Sequence, residues 1–140
     1  MITNLDPNEA RELLQSCSIG RLGCVADNAP YVVPVHYLFE EDCLLIHSLP
    51  GRKIQALRNN PRACLQIDNI QDSVHWSSVL ASGNYEEIWN ADERGRVLNL
   101  FMRRFHLLTP VEAAILGDSF SPEVIVFRIR IDEISGMHEG

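Results

Sequence analysis

Lysine is almost missing from this chain: Lys53 is the only one among 140 residues. Basic side chains number 12 against 19 acidic ones, a formal net charge of −7. That shortage argues against a nucleic-acid surface, because phosphate-backbone binding draws its affinity from spread basic stripes that release counterions. No run of about 18 apolar residues is present for a membrane span, and the N-terminal MITNLDPNEARELL lacks the basic region and apolar stretch of a secretory signal. A cytoplasmic location is therefore expected. Cys17, Cys24, Cys43 and Cys64 form no C-x-x-C pair and have no histidine at a metal-ligand interval. They read as small buried hydrophobes of a reducing compartment, and no metal site is expected. Repeats, low-complexity tracts and dividing linkers are absent too, so residues 1–140 are expected to form one domain.

What is present is a change of period. Asp6-Pro7-Asn8-Glu9 offers an N-cap acceptor, a proline at the first helical position and a carboxylate at N3, followed by Ala10, Leu13 and Leu14 on one face. This helix should stop by Ser18. From Ile19 the pattern turns to strands: 19–26, 31–39 and 43–48, separated by short polar gaps that make antiparallel hairpins. Pro34 lacks a ladder donor and requires an edge, a bulge or a backbone facing something other than a strand. Ile54 and Leu57 mark a short helix ending at Asn60-Pro61. Strands at 63–68 and 75–88 follow, with Gly83 as a bend in the second. Asn90 caps a helix carrying Val97, Leu98, Phe101, Met102 and Phe105 along one side, with Arg94, Arg96, Arg103 and Arg104 as a solvated face. A short helix at 110–117 and an alternating strand at 123–134 complete the chain. Mostly antiparallel strands with a few inserted helices predict a mainly β, α+β fold, a small closed or nearly closed barrel with flanking helices.

The scarce positive charge is concentrated. SLPGRKIQALRNNPR, residues 48–62, holds Arg52, Lys53, Arg58 and Arg62. A glycine before Arg-Lys at a helix start offers an anion free backbone N–H groups, the positive end of a helix dipole and two cations. Local charge of this kind suits a small phosphate better than a polymer. Arg58 and Arg62 lie a turn or more beyond and should contribute little to such a site.

The stretches GRLGCVADNAPYVVPVHYLFE, CLLIHSLPGRKIQALRNNPR, WSSVLASGNYEEI and VIVFRIRIDEISG, in this order, resemble the pyridoxamine 5′-phosphate oxidase-like superfamily of FMN-binding split barrels, on the branch that includes nitroimidazole-resistance proteins. The resemblance implies FMN as cofactor. Pro34, Val35, His36 and Tyr37, with Ile46, His47 and Ser48, would form a wall against the flavin ring. Arg52 and Lys53 would take the 5′-phosphate, and Trp76, Ser77, Ser78 and Val79 would add contacts near a subunit boundary of a homodimer. Read without the resemblance, His36 and His47 are hydrogen-bonded barrel residues, Ser77 and Ser78 polar strand positions, and Trp76 core.

The resemblance further implies an NAD(P)H-dependent oxidoreductase acting on a small acceptor such as a nitro-aromatic, a quinone or free flavin. Members of the superfamily stack NAD(P)H without a G-x-G-x-x-G motif, so its absence here carries no weight. A flavin-holding store, sensor or haem-like ligand carrier is the alternative, and an apo barrel used as an interaction module is a third. Pyridoxamine phosphate oxidase activity itself is not expected, because the chain stops at SGMHEG and His138 alone does not supply a substrate site.

Overall fold

A computed structural model describes residues 1–105 and 124–140. Helix α1 (Pro7–Ser16) starts as its sequence dictates, with the Asp6 carboxylate accepting from the Asn8 amide at 2.8 Å and Ala10 and Leu14 buried. Strands β2 (Ile19–Ala26) and β3 (Ala29–His36) form a hairpin through Asp27 and Asn28, both at positive φ. Asp and Asn are the side chains that tolerate this left-handed pair best after glycine. The expected strand 31–39 is broken at Tyr37: a separate β4 (Leu38–Glu40) follows and turns through Glu41-Asp42 into β5 (Cys43–Ser48). Then come α2 (Arg52–Asn59), β6 (Arg62–Asp72), β7 (His75–Glu87), α3 (Ala91–Arg104) and β8 (Ile125–Glu139). A three-residue β1 (Ile2–Asn4), too short to show alternation in sequence, pairs with the end of β8. Strands β6 and β8 outrun their expected ends at 68 and 134, because the β6–β7 hairpin and the β1 pairing carry polar residues into the ladder. The expected helix at 110–117 lies outside the described residues. No helix among the described residues is long and apolar enough to cross a membrane.

The strands run antiparallel in the order β3-β2-β6-β7-β8-β5-β4. The first and last of these are consecutive pieces of one bent strand, so the ends of the path meet at Tyr37 and the sheet closes into a split barrel. Pro34 sits on β3, a terminal strand of the path, where a missing donor is tolerated. Gly83 marks a register shift between β7 and β8, and a Cβ there would lie 2.1 Å from the Arg130 carbonyl oxygen. The bend needs a residue without a side chain.

Inside the barrel, Leu22, Leu44, Ile46, Leu65, Ile67, Val79, Phe127 and Ile129 meet Leu14 of α1 and Ile54 and Leu57 of α2. A second cluster lies outside it, where Val97, Leu98 and Phe101 of α3 cover Leu45 and Val126. Met102, expected on the same face, is 43% exposed. The α3 arginines are only in part a solvated face. Arg103 and Arg104 are exposed, but Arg96 pairs with Glu40 and Glu93 and Arg94 donates to the Val124 carbonyl at 2.5 Å.

Tyr37 holds the corner on which closure depends. Its amide donates to the Ser18 carbonyl at 3.0 Å, and its hydroxyl donates to the Leu14 carbonyl at 2.5 Å, one of the last carbonyls of α1 that no intrahelical amide reaches. Burial pushes its phenol pKa well above the ordinary value. Tyr37→Phe should therefore cost about 1–3 kcal/mol of unfolding free energy, the penalty for a buried acceptor left alone, and Tyr37→Ala about 3–5 kcal/mol. Denaturant unfolding measures both, and a Tyr37→Phe change under about 0.5 kcal/mol would show that the corner does not rest on this bond.

Candidate functional site

The turn Leu49-Pro50-Gly51 leads from β5 into α2, and Gly51 is an N-cap with no side-chain hydrogen bond. Gln55 is the first residue whose amide bonds back, to the Gly51 carbonyl at 3.1 Å, which leaves the amides of Arg52, Lys53 and Ile54 ahead of the helical ladder. The basic side chains around this point divide sharply. Arg11, Arg21, Arg58, Arg62, Arg96, Arg128 and Arg130 all pair with carboxylates. Arg52 and Lys53 have no carboxylate partner among the described residues. Arg52 lies over the Tyr31 ring at 4.8 Å, and Lys53 is half-buried, its pKa pushed down by that burial. Beneath them the Cys24 thiol is pushed up by burial and by Cys64, while Arg52 and Lys53 pull it down. Two cations thus stand at one uncapped helix start without a carboxylate partner among the described residues.

Arg58, one of the two cations expected to contribute little, is instead forked onto Glu87 of β7, with its Nε on Oε1 and its Nη2 on Oε2 at 3.2 Å. Tyr85 donates to the same carboxylate at 2.6 Å. Burial pushes the Glu87 carboxyl up, but the hydrogen bonds from Arg58 and Tyr85 outweigh it and hold it below its ordinary value. Arg62 forks onto the exposed Asp132.

The ladder register sorts the remaining expected site residues by face, since directly opposed residues point the same way. Pro34 opposes Arg21, which opposes Gln66; His36 opposes Ile19; Trp76 opposes Ile70, and Ser78 opposes Asp68. These lie on the outer face of the barrel. Val35 and Ser77 have the opposite parity. Two expected wall residues turn inward altogether: Tyr37 and Ile46 are 1% and 0% exposed, so only their backbone could touch a ligand. Ser48 donates to the Leu49 carbonyl at 2.8 Å. His36 and His47 are brought to one element, α3. His36 meets the Phe105 ring edge-on at 4.8 Å and His47 meets Phe101 at 4.6 Å, and the two phenylalanines stack on each other. Trp76 is half-buried, not core, and donates to Glu139 at 3.1 Å.

One group stands apart. Two strands, β2 and β6, separate β3 from β7, so Trp76, Ser77 and Ser78 lie about 14 Å from β3 across the sheet. The outer face from β3 to β8 carries exposed Ile19, Val32, Ile70, Leu80 and Met137 around a polar belt in which Gln66 donates to Ser78 and Asp68. Sequence reasoning missed Tyr31, Glu87, Phe101 and Phe105 as neighbours of the site, because their roles arise from contacts between distant elements and no local motif announces them.

A family model described as pyridoxamine 5′-phosphate oxidase matches residues 6–138. An uncharacterised protein of Rhizobium meliloti is 31% identical over 137 residues, 91% of this chain and 89% of its own length. The crystal structure of a protein from Mesorhizobium loti, described as FAD-binding, superposes with a TM-score of 0.73 at 30% identity, covering 100% of this chain and 99% of that one. A candidate 5-nitroimidazole antibiotic resistance protein from Bacteroides thetaiotaomicron shares the fold, with a TM-score of 0.76, 22% identity and coverage of 99% and 87%.

A half-buried ammonium without a counter-ion destabilises the protein that carries it. Lys53→Met should leave the thermal midpoint of the ligand-free protein at neutral pH unchanged or raised. Because the Lys53 pKa is lowered on folding, the wild-type penalty is fully present below that folded value and fades as pH rises through it towards the ordinary lysine range. Any advantage of the variant should shrink accordingly in alkaline melts. A clear fall in midpoint at neutral pH would mean that Lys53 has a stabilising partner.

Proposed function

This chain belongs to the pyridoxamine 5′-phosphate oxidase family, and we propose from that premise that it is a flavoprotein whose flavin phosphate lies at the start of α2. The observation that carries the reading is the pair Arg52 and Lys53, which have no carboxylate partner among the described residues in a protein that neutralises most of its arginines. Two cations and three leading amides match the charge and acceptor count of a phosphate dianion. The flavin itself supplies the electron-transfer chemistry when bound. The chain's residues bind, orient and exclude water: the end of β3 from Pro34 to His36 with the Tyr37 backbone, and the end of β5 at His47 and Ser48, form the wall for the ring, and Phe101 of α3 and its C-cap residue Phe105 back the two histidines.

The assembly we propose is a homodimer. The apolar outer face of β2, β3, β6, β7 and β8 supports it, and so does the distance of Trp76, Ser77 and Ser78 from β3, which a second copy would bridge by bringing its own β7 to the ring. The four cysteines are free thiols, in keeping with a cytoplasmic protein. The activity we propose is NAD(P)H-dependent reduction of a small acceptor, a nitro-aromatic, a quinone or free flavin. FMN is the favoured cofactor, because the cradle needs only one phosphate. FAD is the second reading, favoured by the FAD-binding description of the 30% identical Mesorhizobium loti protein, and its FMN half would meet the same cations.

Fluorescence quenching with riboflavin, FMN and FAD separates these readings. FMN should bind at least about tenfold tighter than riboflavin, and Lys53→Ala should weaken FMN by about ten- to a hundredfold while leaving riboflavin within about twofold, the loss of one charge-assisted contact. Equal affinity for riboflavin and FMN would remove the phosphate argument. NAD(P)H consumption with a panel of acceptors then decides between an oxidoreductase and a flavin-holding protein without turnover.

A further inference from the structure

The Arg58–Glu87–Tyr85 group is out of character with the other ion pairs. Glu87 has a side chain only 7% exposed, whereas the next least exposed carboxylate among the ion pairs of the described residues, Asp68, is 22% exposed. Taking a carboxylate out of water is costly, and a buried pair is weak evidence for stability, because apolar residues of the same volume serve a core as well. What a fork supplies that apolar contact does not is direction.

Helix α2 needs direction. Its eight residues span about 12 Å, two turns that cannot hold themselves together in water. It buries Ile54, Ala56 and Leu57, and this packing sets which face is inward, while apolar attraction itself is non-directional and leaves the fine roll and tilt to directional bonds. The N-terminal end has no side-chain cap, and a hollow of about 360 Å³ lies alongside, bordered by Pro50 on one side and by Arg58 and Glu87 on the other. The first turn is held by the burial of Ile54 and carries no side-chain cap. Directional bonds gather at the opposite end: the Arg58 fork on Glu87, the Tyr85 hydroxyl on the same carboxylate, and the Tyr85 amide on the Pro61 carbonyl at 2.7 Å. The Tyr85 ring in turn packs on the core residue Phe127 at 4.9 Å.

We propose that Glu87 is a positioning residue for the phosphate cradle: through Arg58 it sets the roll of α2, and so the direction in which Arg52, Lys53 and the leading amides face. The inference rests on the reading of Arg52 and Lys53 as phosphate ligands. Glu87 touches no ligand. Its effect is felt at Lys53, five residues and about 7.5 Å along the helix axis from Arg58.

The test is the ratio of FMN to riboflavin affinity in Glu87→Gln and Arg58→Lys, with thermal midpoints measured alongside. A residue that merely stabilised the barrel would weaken both ligands together. A residue that aims the cradle weakens only the one with a phosphate. The ratio should fall by about fivefold or more in Glu87→Gln, with riboflavin affinity within about twofold of wild type, and by less in Arg58→Lys, which keeps the charge but loses the fork. In a Lys53→Ala background the Glu87→Gln change should lower the residual ratio by less than it does in the wild type, since part of its effect is exerted through Lys53 and the rest through Arg52 and the leading amides. If Glu87→Gln does not fold, Arg58→Lys carries the same comparison. A wild-type ratio near one overturns the phosphate reading and this proposal with it. A high wild-type ratio retained in the folded variants, or an equal loss of both ligands, overturns the positioning role alone.

Discussion

The corner at Tyr37 is the constraint on which the rest of the molecule depends. A sheet with the order β3-β2-β6-β7-β8-β5-β4 closes only if one strand serves both of its ends, and the backbone must leave one ladder and join the other within a residue. The side chain that turns inward there fills the barrel end and terminates α1 with its hydroxyl. Everything the site needs follows from that bend. His36, the residue before it, is left on the outer face at the limit of β3, while β5 returns along the other sheet end to deliver His47, Ser48 and the turn into α2.

Electrostatics explain why so acidic a protein carries a small positive knot. With a formal charge of −7, carboxylates outnumber cations, and most of the arginines here pair with one. Keeping Arg52 and Lys53 out of such pairs takes an arrangement: Arg52 rests on the Tyr31 ring and Lys53 is withdrawn over Cys24, beyond reach of acidic side chains among the described residues. A cation over a ring face keeps its charge available to a ligand, which a salt bridge does not. The family relationship points to a flavin, and the two cations without carboxylate partners among the described residues support the proposal that its phosphate lies at the start of α2.

Much of the architecture was legible because local rules and the global fold agree. Asp6 and Asn90 cap the helices that their sequences announce, with side chains on the Asn8 and Glu93 amides, Gly83 bends the strand it was expected to bend, and Pro34 lies at an edge. The break at Tyr37 was not legible, since YVVPVHYLF reads as one nearly continuous apolar run and the signal for the corner is a hydrogen bond to a helix residue 23 positions earlier. In the same way GRK read correctly as a helix start, but the fate of each cation depends on which carboxylates the fold brings near it. Arg58 and Lys53 belong to one short helix. One is forked onto a buried glutamate from β7 and the other has no carboxylate partner among the described residues, and no periodicity distinguishes them.

The most direct measurement is a crystal structure of the protein soaked with FMN. The account places the phosphate within hydrogen-bond distance of Lys53 Nζ and the first amides of α2, with the ring along the outer edge of β3 and β7 of a second copy closing over it. A phosphate bound elsewhere, or a ring held by one copy alone far from β3, would contradict it.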